Sequence, residues 1–300
     1  MQVAKVKSWV KLLATIVVAV TMLLGTPQDV KAASNPPVPI ICPVTEPTVI
    51  FMLDDIQSYD LEPTQLEIMR TFEARDVALT IGVIADSLVD SLYVDSSQHS
   101  DELYSIMSNL GDKGEVACHS MYDHSNFTSL PLNEQMNEQK DELSDCRDNL
   151  MVLFPGKEIN TFIRPYNEFN DDTLEAMREE SYSILSSKST NYSIPNGSCY
   201  NEGGNFDEDD IVDLPVGAST GGFGSTLVLQ SAQTVFDQIN NQLDYNGQNW
   251  SVVMMHPQEF STGNEVDLDA IDTLNELIDM CESSGYEMVT FSQLKDSFDY

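Results

Sequence analysis

Positive charge is scarce in this chain. Only 14 lysine and arginine residues stand against 49 aspartate and glutamate residues, so the formal net charge is −35 at pH 7. Proteins that bind nucleic acid or an anionic membrane surface cluster lysine and arginine where they displace counterions. The composition therefore excludes both partners. Acidity of this strength is typical of a solvated surface and does not indicate a particular ligand.

Long apolar runs are scarce as well, because no segment after residue 32 is long and apolar enough to form a membrane helix. Residues 1–32 combine a basic start, an apolar run over residues 12–24 and an A-x-A-like cleavage site that ends at Ala32. This pattern predicts a secretory signal peptide, with an uncleaved anchor as the alternative. No cysteine follows the run closely enough to suggest a lipid anchor. We therefore expect a secreted, extracellular or cell-surface protein that is cleaved near Ala32.

Cysteine is sparse, with five residues in the whole chain. In an oxidising compartment we expect one or two disulfides and at least one remaining thiol. The sequence does not indicate how the cysteines pair.

The segment after the signal peptide has no internal repeat. Residues 33–47 are rich in proline and predict an extended lead-in, and residues 48–300 suit one large domain. Apolar strand patterns alternate with amphipathic helix patterns about seven times, which predicts a parallel α/β barrel or wound sheet. The strands are predicted at residues 48–55, 76–84, 115–118, 159–163, 182–186, 210–216, 250–256 and 286–291. The helices are predicted at residues 101–114, 132–154, 171–180 and 268–283 and at the end of the chain.

Polar residues that can do chemistry follow several of these strands. In parallel barrels the reactive groups lie at the carboxyl ends of the strands, so we expect them to converge on one face. The residues at these strand ends are Asp54, Asp55, His119, Arg164, Asp213 and His256.

Two histidines, His119 and His124, lie in one short segment. Together with a carboxylate from elsewhere, they match the mixed nitrogen and oxygen ligation of a catalytic divalent metal that keeps open positions. A core or surface histidine pair is the alternative. With a paired aspartate before them and His256 after them, the set is typical of a metal-assisted hydrolase.

Five motifs in this order resemble those of the polysaccharide deacetylases, the carbohydrate esterases of the NodB-homology type. The motifs are FMLDD, HSMYDH, IRPYN, VDLPV and MMHP. The resemblance covers residues 49 to about 298. It implies a distorted (β/α) barrel with about seven parallel strands. It also implies metal-dependent hydrolysis of N-acetyl groups from an amino-sugar polymer or oligosaccharide.

The resemblance also implies roles for single residues. Asp55, His119 and His124 would hold one divalent ion, for which zinc is favoured, while cobalt, nickel and manganese remain open. The catalytic residues by the same resemblance are Asp54 as general base, His256 as general acid, Asp213 as the residue that orients His256, the Tyr166 amide as an oxyanion donor, and Arg164.

The motifs depart from the family pattern in three places. His124 follows His119 by five positions where the family usually has four, and Asp123 holds the four-residue position. We favour His124 as the third ligand, since imidazole suits zinc and a loop can absorb one extra residue; Asp123 is the alternative. Arg164 sits one place late, and Leu214 stands where the family often has tryptophan. A non-catalytic carbohydrate-binding or cell-surface protein that retains the barrel is therefore the alternative function.

Overall fold

The structure is a computed structural model. It describes residues 40–41, 44–88, 98–121, 135–167, 169–187, 198–199, 211–221, 228–244 and 249–298. The predicted signal peptide and both candidates for the third metal ligand, Asp123 and His124, lie outside the described residues. The predicted boundaries at residues 32 and 47 stay predictions.

Parallel strands form the centre of the molecule, and helices connect them. The strands are β1 (Ile40–Ile41), β2 (Thr48–Ile56), β3 (Leu79–Ile84), β4 (Gly114–Ser120), β5 (Thr161–Ile163), β6 (Ile184–Ser186), β7 (Ser198–Cys199), β8 (Val212–Asp213), β9 (Ala218–Ser219), β10 (Trp250–Met255), β11 (Ser261–Thr262), β12 (Glu265–Val266) and β13 (Glu287–Met288). The helices are α1 (Glu62–Arg75), α2 (Gln98–Asn109), α3 (Gln135–Leu153), α4 (Asp171–Glu179), α5 (Ala232–Leu243), α6 (Leu268–Ser283) and α7 (Phe291–Asp296).

The main sheet has the order β1-β7-β8-β6-β5-β4-β3-β2-β10-β9, and β13 also pairs with β2. From β8 through β9 every pairing along this order is parallel, whereas β7 pairs antiparallel with both β1 and β8. Short β11 and β12 form a separate hairpin.

One chain segment, residues 212–219, joins the two ends of the parallel part of this sheet, β8 and β9. Its first half bonds to the β6 side, where the Val216 amide donates to the Ser187 carbonyl at 2.8 Å. Its second half bonds to β10, where the Gly217 amide donates to the Val252 carbonyl at 3.1 Å. The strands β2 to β6, this segment and β10 therefore make a distorted barrel of about seven parallel strands, and the predicted fold class is confirmed.

The sequence of β2 shows why it lies at the centre. Its apolar run is completely buried because a parallel strand is covered on both faces. Alternate residues enter two different cores: Val49, Phe51 and Leu53 pack against the helices, while Ile50 and Met52 join a second cluster. Residues of β4, β5, β6 and β10 that belong to this second cluster identify it as the barrel interior.

The predicted strands and helices all overlap elements of the structure, and α6 has the predicted bounds. Two helices, α1 and α5, were not predicted. Helix α1 buries polar residues such as Glu62, Thr64 and Gln65, so its sequence lacks a clean apolar stripe. In helix α5 the buried residues Ala232, Val235, Ile239 and Leu243 recur at helical spacing, so its signal was present in the sequence and was overlooked. No helix in the described ranges is long and apolar enough to cross a membrane.

Helix α3 is fastened to the end of β4. A disulfide joins Cys118 of β4 to Cys146 of the helix. One turn earlier on the helix, the Glu142 carboxylate accepts hydrogen bonds from the Ser120 hydroxyl at 3.1 Å and from the Met121 amide at 3.3 Å. These contacts flank His119 on both sides along the strand.

Candidate active site

The paired aspartates Asp54 and Asp55 lie in a bulge near the end of β2. Leu53 is opposite Ile81 of β3, but Ile56 is opposite Val83, so the register shifts between them. Asp55 has a left-handed backbone with φ 61°. Neighbouring side chains of a regular strand point to opposite faces, and a bulge re-aims one of them. The bulge thus allows two successive carboxylates to serve one site.

His119 lies at the end of β4 and is buried. Its Nδ1–H donates to the Ile163 carbonyl at 2.8 Å, and its Nε2 lies 3.1 Å from Asp55 Oδ1. Burial lowers the pKa of His119, but the hydrogen bond with Asp55 and the charges of Asp54 and Asp55 outweigh it, so the net pKa is raised. The carbonyl fixes the ring orientation and directs Nε2 towards the carboxylate.

This pair has the chemistry of a metal-binding half-site. A carbonyl that accepts from Nδ1–H leaves Nε2 as the ligand atom, which is the common arrangement of histidines on metals. Imidazole nitrogen with carboxylate oxygen is a donor set that suits zinc and other borderline divalent ions. Within the described ranges, no group of three or more histidine, cysteine, aspartate or glutamate residues is placed to hold a metal. His119 and Asp55 therefore fit an ion, and the predicted third ligand, His124, stays a prediction.

His256 follows β10 and has a partner that the sequence analysis missed. Its Nδ1–H donates to Glu259 Oε1 at 2.9 Å, and the Glu259 side chain is completely buried. Burial lowers the pKa of His256, but the bond to Glu259 and the charges of Asp54, Glu259 and Asp55 raise it to about 9. The imidazole is therefore protonated at neutral pH. Since Asp54 and Asp55 influence both histidines, the four side chains occupy one site.

The predicted role of Asp213 in orienting His256 stays a prediction. Asp213 lies in β8 and accepts a hydrogen bond from the Ser187 hydroxyl at 2.8 Å, and burial raises its pKa to about 7. Asp213 lies in the first half of residues 212–219, the half that pairs with β6, whereas His256 follows β10. Among the described residues, Glu259 is the one whose carboxylate bonds to the His256 ring.

Arg164 and Tyr166 follow β5, as predicted, but their catalytic roles stay predictions. Arg164 is buried, and its guanidinium donates to the Thr173 hydroxyl in the first turn of α4 at 3.0 Å. Tyr166 has a left-handed backbone with φ 57° in the 3-10 turn Pro165–Asn167, and 61% of the residue is exposed. The sharp turn presents the ring to solvent at the carboxyl end of the barrel.

Gly82 of β3 is a second residue that the sequence analysis missed. A Cβ atom at this position would lie 3.1 Å from Asp54 Oδ1 and 3.2 Å from Ile163 Cδ1. The absent side chain leaves the space in which the Asp54 carboxylate sits. A lone glycine inside a predicted strand is the signal that could have indicated this close approach.

Gly82→Ala should lower turnover by roughly ten-fold. Displacing a reacting group by 1 Å can lower the rate by about a hundred-fold, and the new methyl group should displace the Asp54 carboxylate by less than that. The measurement is kcat for the variant and for Gly263→Ala. Gly263 has nothing within 4 Å but a φ of 67°, so alanine there should cost stability and leave turnover unchanged. If Gly82→Ala and the unaltered protein have the same turnover, the close approach of Gly82 to Asp54 does not position the carboxylate.

Comparison with known proteins shows which fold this chain shares with them. No family model and no curated protein matches the sequence. A putative polysaccharide deacetylase from Mycobacterium smegmatis matches the structure with a TM-score of 0.58 and 15% identity, over 88% of this chain and 94% of that one. The chain has the fold of the polysaccharide deacetylases. The resemblance seen in the motifs is thereby confirmed in structure.

Two further neighbours show what this deacetylase fold can host. Peptidoglycan deacetylase PdaC from Bacillus subtilis matches with a TM-score of 0.50 and 15% identity, over 84% of this chain and 92% of that one. A CE4 family pseudoenzyme from Bacillus anthracis matches with a TM-score of 0.53 and 14% identity, over 83% of this chain; the chain spans 66% of that neighbour's length. The fold therefore occurs in a protein described as a peptidoglycan deacetylase and in one described as a pseudoenzyme.

Proposed function

We propose that the chain is a secreted, metal-dependent hydrolase that removes N-acetyl groups from an amino-sugar polymer or oligosaccharide. The observation that carries this proposal is the set of four side chains at one end of a deacetylase-type barrel. Asp54 and His256 supply a carboxylate base and a protonated acid. Asp55 and His119 supply the carboxylate and the imidazole that would bind the metal ion.

The ion would be held by Asp55 and His119, with His124 as the proposed third ligand and zinc as the favoured metal. When bound, a divalent ion would polarise the acetamido carbonyl and make water a stronger acid. The buried Nδ1 bond of His119 to Ile163 keeps the ligand nitrogen in place while the substrate enters and leaves.

The protein's own groups would move the protons. Asp54 takes a proton from the attacking water, and a new C–O bond forms at the carbonyl carbon. His256 then gives the Nε2 proton to the amide nitrogen as the C–N bond breaks, so that an amine leaves instead of an unstable anion. With a pKa of about 9, His256 carries this proton at neutral pH. The Tyr166 amide is the proposed donor to the oxyanion.

The Cys118–Cys146 disulfide supports a location outside the cytoplasm. Such bonds persist in oxidising compartments and are rare where thiols are kept reduced. This agrees with the proposed signal peptide. A secreted deacetylase would meet acetylated polysaccharide, as the peptidoglycan deacetylase among the structural neighbours does.

A non-catalytic carbohydrate binder is the second candidate. It is favoured by the pseudoenzyme among the neighbours. This candidate keeps the barrel and its sugar-binding face but has no turnover.

Acetate release from acetylated chito-oligosaccharides should separate the two candidates. We expect release by the zinc-loaded protein, loss of release with a chelator, and recovery when zinc returns, with one ion bound per chain. Metal analysis and acetate measurement check this directly. If the protein offered zinc holds no stoichiometric metal and still binds the sugars without releasing acetate, the binder is correct and the hydrolase is not.

A further inference from the structure

We propose that Glu259 is a positioning residue: it holds the His256 imidazole through Nδ1 and so presents Nε2 to the nitrogen that leaves the substrate. The inference rests on the proposed hydrolase function for its catalytic meaning. The contact between Glu259 and His256 can be tested without any turnover.

Local backbone geometry brings the two residues together. Pro257–Phe260 forms a single 3-10 turn directly after His256, and the Glu259 amide donates to the His256 carbonyl at 3.1 Å. Residues three apart on a 3-10 turn lie on the same side, so the Glu259 carboxylate folds back towards the ring. Pro257 fixes its own φ and favours the start of this turn.

The bend that follows β9 holds the Glu259 carboxylate from its other side. The Thr220 hydroxyl donates to Glu259 Oε2, and the Thr220 amide is held by the Met254 carbonyl at 3.0 Å. A Cβ atom at Gly221 would overlap Glu259 Oε1, so only glycine leaves room for the side chain. The Glu259 side chain is thus completely buried, with one carboxylate oxygen bonded to Thr220 and the other to His256.

Charge complements this geometry. The groups that act on His256 are Asp54 and Asp55 from β2 and Glu259 from the turn. Glu259 is the one that bonds directly to the ring among the described residues. A buried carboxylate that accepts from Nδ1–H favours the imidazolium and leaves Nε2–H as the free donor. The contact seen for Asp213 is the hydrogen bond that it accepts from the Ser187 hydroxyl.

The experiment compares Glu259→Gln, Gly221→Ala and the matched control Glu115→Gln. Glutamine at 259 keeps the shape and removes the charge, whereas alanine at 221 keeps the charge and displaces it from the ring. Glu115 is also a buried glutamate that accepts from a threonine hydroxyl, Thr80 at 3.1 Å, but it begins β4 and so lies at the other end of the barrel. Its glutamine variant removes an equivalent charge away from His256.

The first readout is the pKa of His256, obtained by NMR titration of the metal-free protein. The chain has four histidines, so the ring signals can be assigned by substitution. We expect the pKa to fall by about one unit or more in Glu259→Gln, by a smaller amount in Gly221→Ala, and not at all in Glu115→Gln. An unchanged His256 pKa in both Glu259→Gln and Gly221→Ala overturns the inference, whatever the activity.

The second readout is the pH dependence of kcat. The acid form of His256 exists below its pKa, so activity should decline above that pKa, and the alkaline limb should move to lower pH in Glu259→Gln. In Glu259→Gln we expect kcat at pH 8 to fall by roughly ten- to a hundred-fold, which is part of the rate enhancement that a positioned acid supplies. KM should be unchanged, because Glu259 is buried and does not contact the substrate. A loss of stability with an unmoved limb, as expected for Glu115→Gln, would mean a structural role only. If the unaltered protein releases no acetate but the NMR shifts appear, the contact stands and the hydrolase function fails.

Discussion

Asp54→Asn should lower turnover on acetylated chito-oligosaccharides by about two orders of magnitude or more, the scale expected when a positioned base is removed. Asparagine has nearly the same shape but cannot accept the proton of the attacking water. Affinity for the divalent ion should change little, because Asp55 and His119 are the proposed ligands and Asp54 is not. The Asp54 carboxylate is buried beside Gly82, and the uncharged amide of asparagine has nearly the same size as the carboxylate that it replaces.

Single-turnover acetate release and a metal titration of the same preparation measure the two expectations separately. Asp60→Asn is the matched control, since Asp60 is exposed in the loop that follows β2. It should retain full turnover and full metal affinity. Unreduced turnover in Asp54→Asn would exclude the role of general base. Loss of metal together with turnover would instead make Asp54 a ligand and require a different base.

The sequence predicted the parts of the site that depend on where strands end. Parallel strands bring their carboxyl ends to one face, so placing Asp54, His119 and His256 after three apolar runs was enough to bring them together. The structure adds the bulge at Asp55, which the sequence could not show. Acidic residues end many strands in a protein of this charge, and only the pairing register reveals that two of them share one site.

The sequence failed where a contact depends on tertiary packing. The orienting role of Asp213 was carried over from the motif and stays a prediction, whereas the contacts of Glu259 depend on residues that pack around its carboxylate. These residues are Thr220 and Gly221, which follow β9 and fit the Glu259 side chain. The spacing of three between His256 and Glu259 across a proline was a usable signal. A buried glutamate in so acidic a chain could not be told from a solvated one by sequence alone.

Removing the disulfide should have a large effect on stability. Cys118 and Cys146 are separated by 28 positions, and closing a loop of this length restricts the unfolded chain by about 3 to 4 kcal/mol. The double variant Cys118→Ala/Cys146→Ala should lose free energy of unfolding of about that size. The loss is large for a domain whose total stability is about 5 to 15 kcal/mol. Urea unfolding measures it as a lower midpoint with a similar slope.

Cys281→Ala is the matched control for this prediction. Cys281 is a buried free thiol, and burial raises its pKa to about 12, so it does not exchange at neutral pH. Its removal should cost on the order of 1 kcal/mol, as for an ordinary buried substitution. Equal losses in the two proteins would show that the bridge contributes only packing.

The bridge also holds α3 against β4 beside His119, where Glu142 accepts a hydrogen bond from Ser120. The second expected result is that the double variant binds the metal ion more weakly, because a loosened strand end positions His119 less well. Metal affinity should be unchanged in Cys281→Ala.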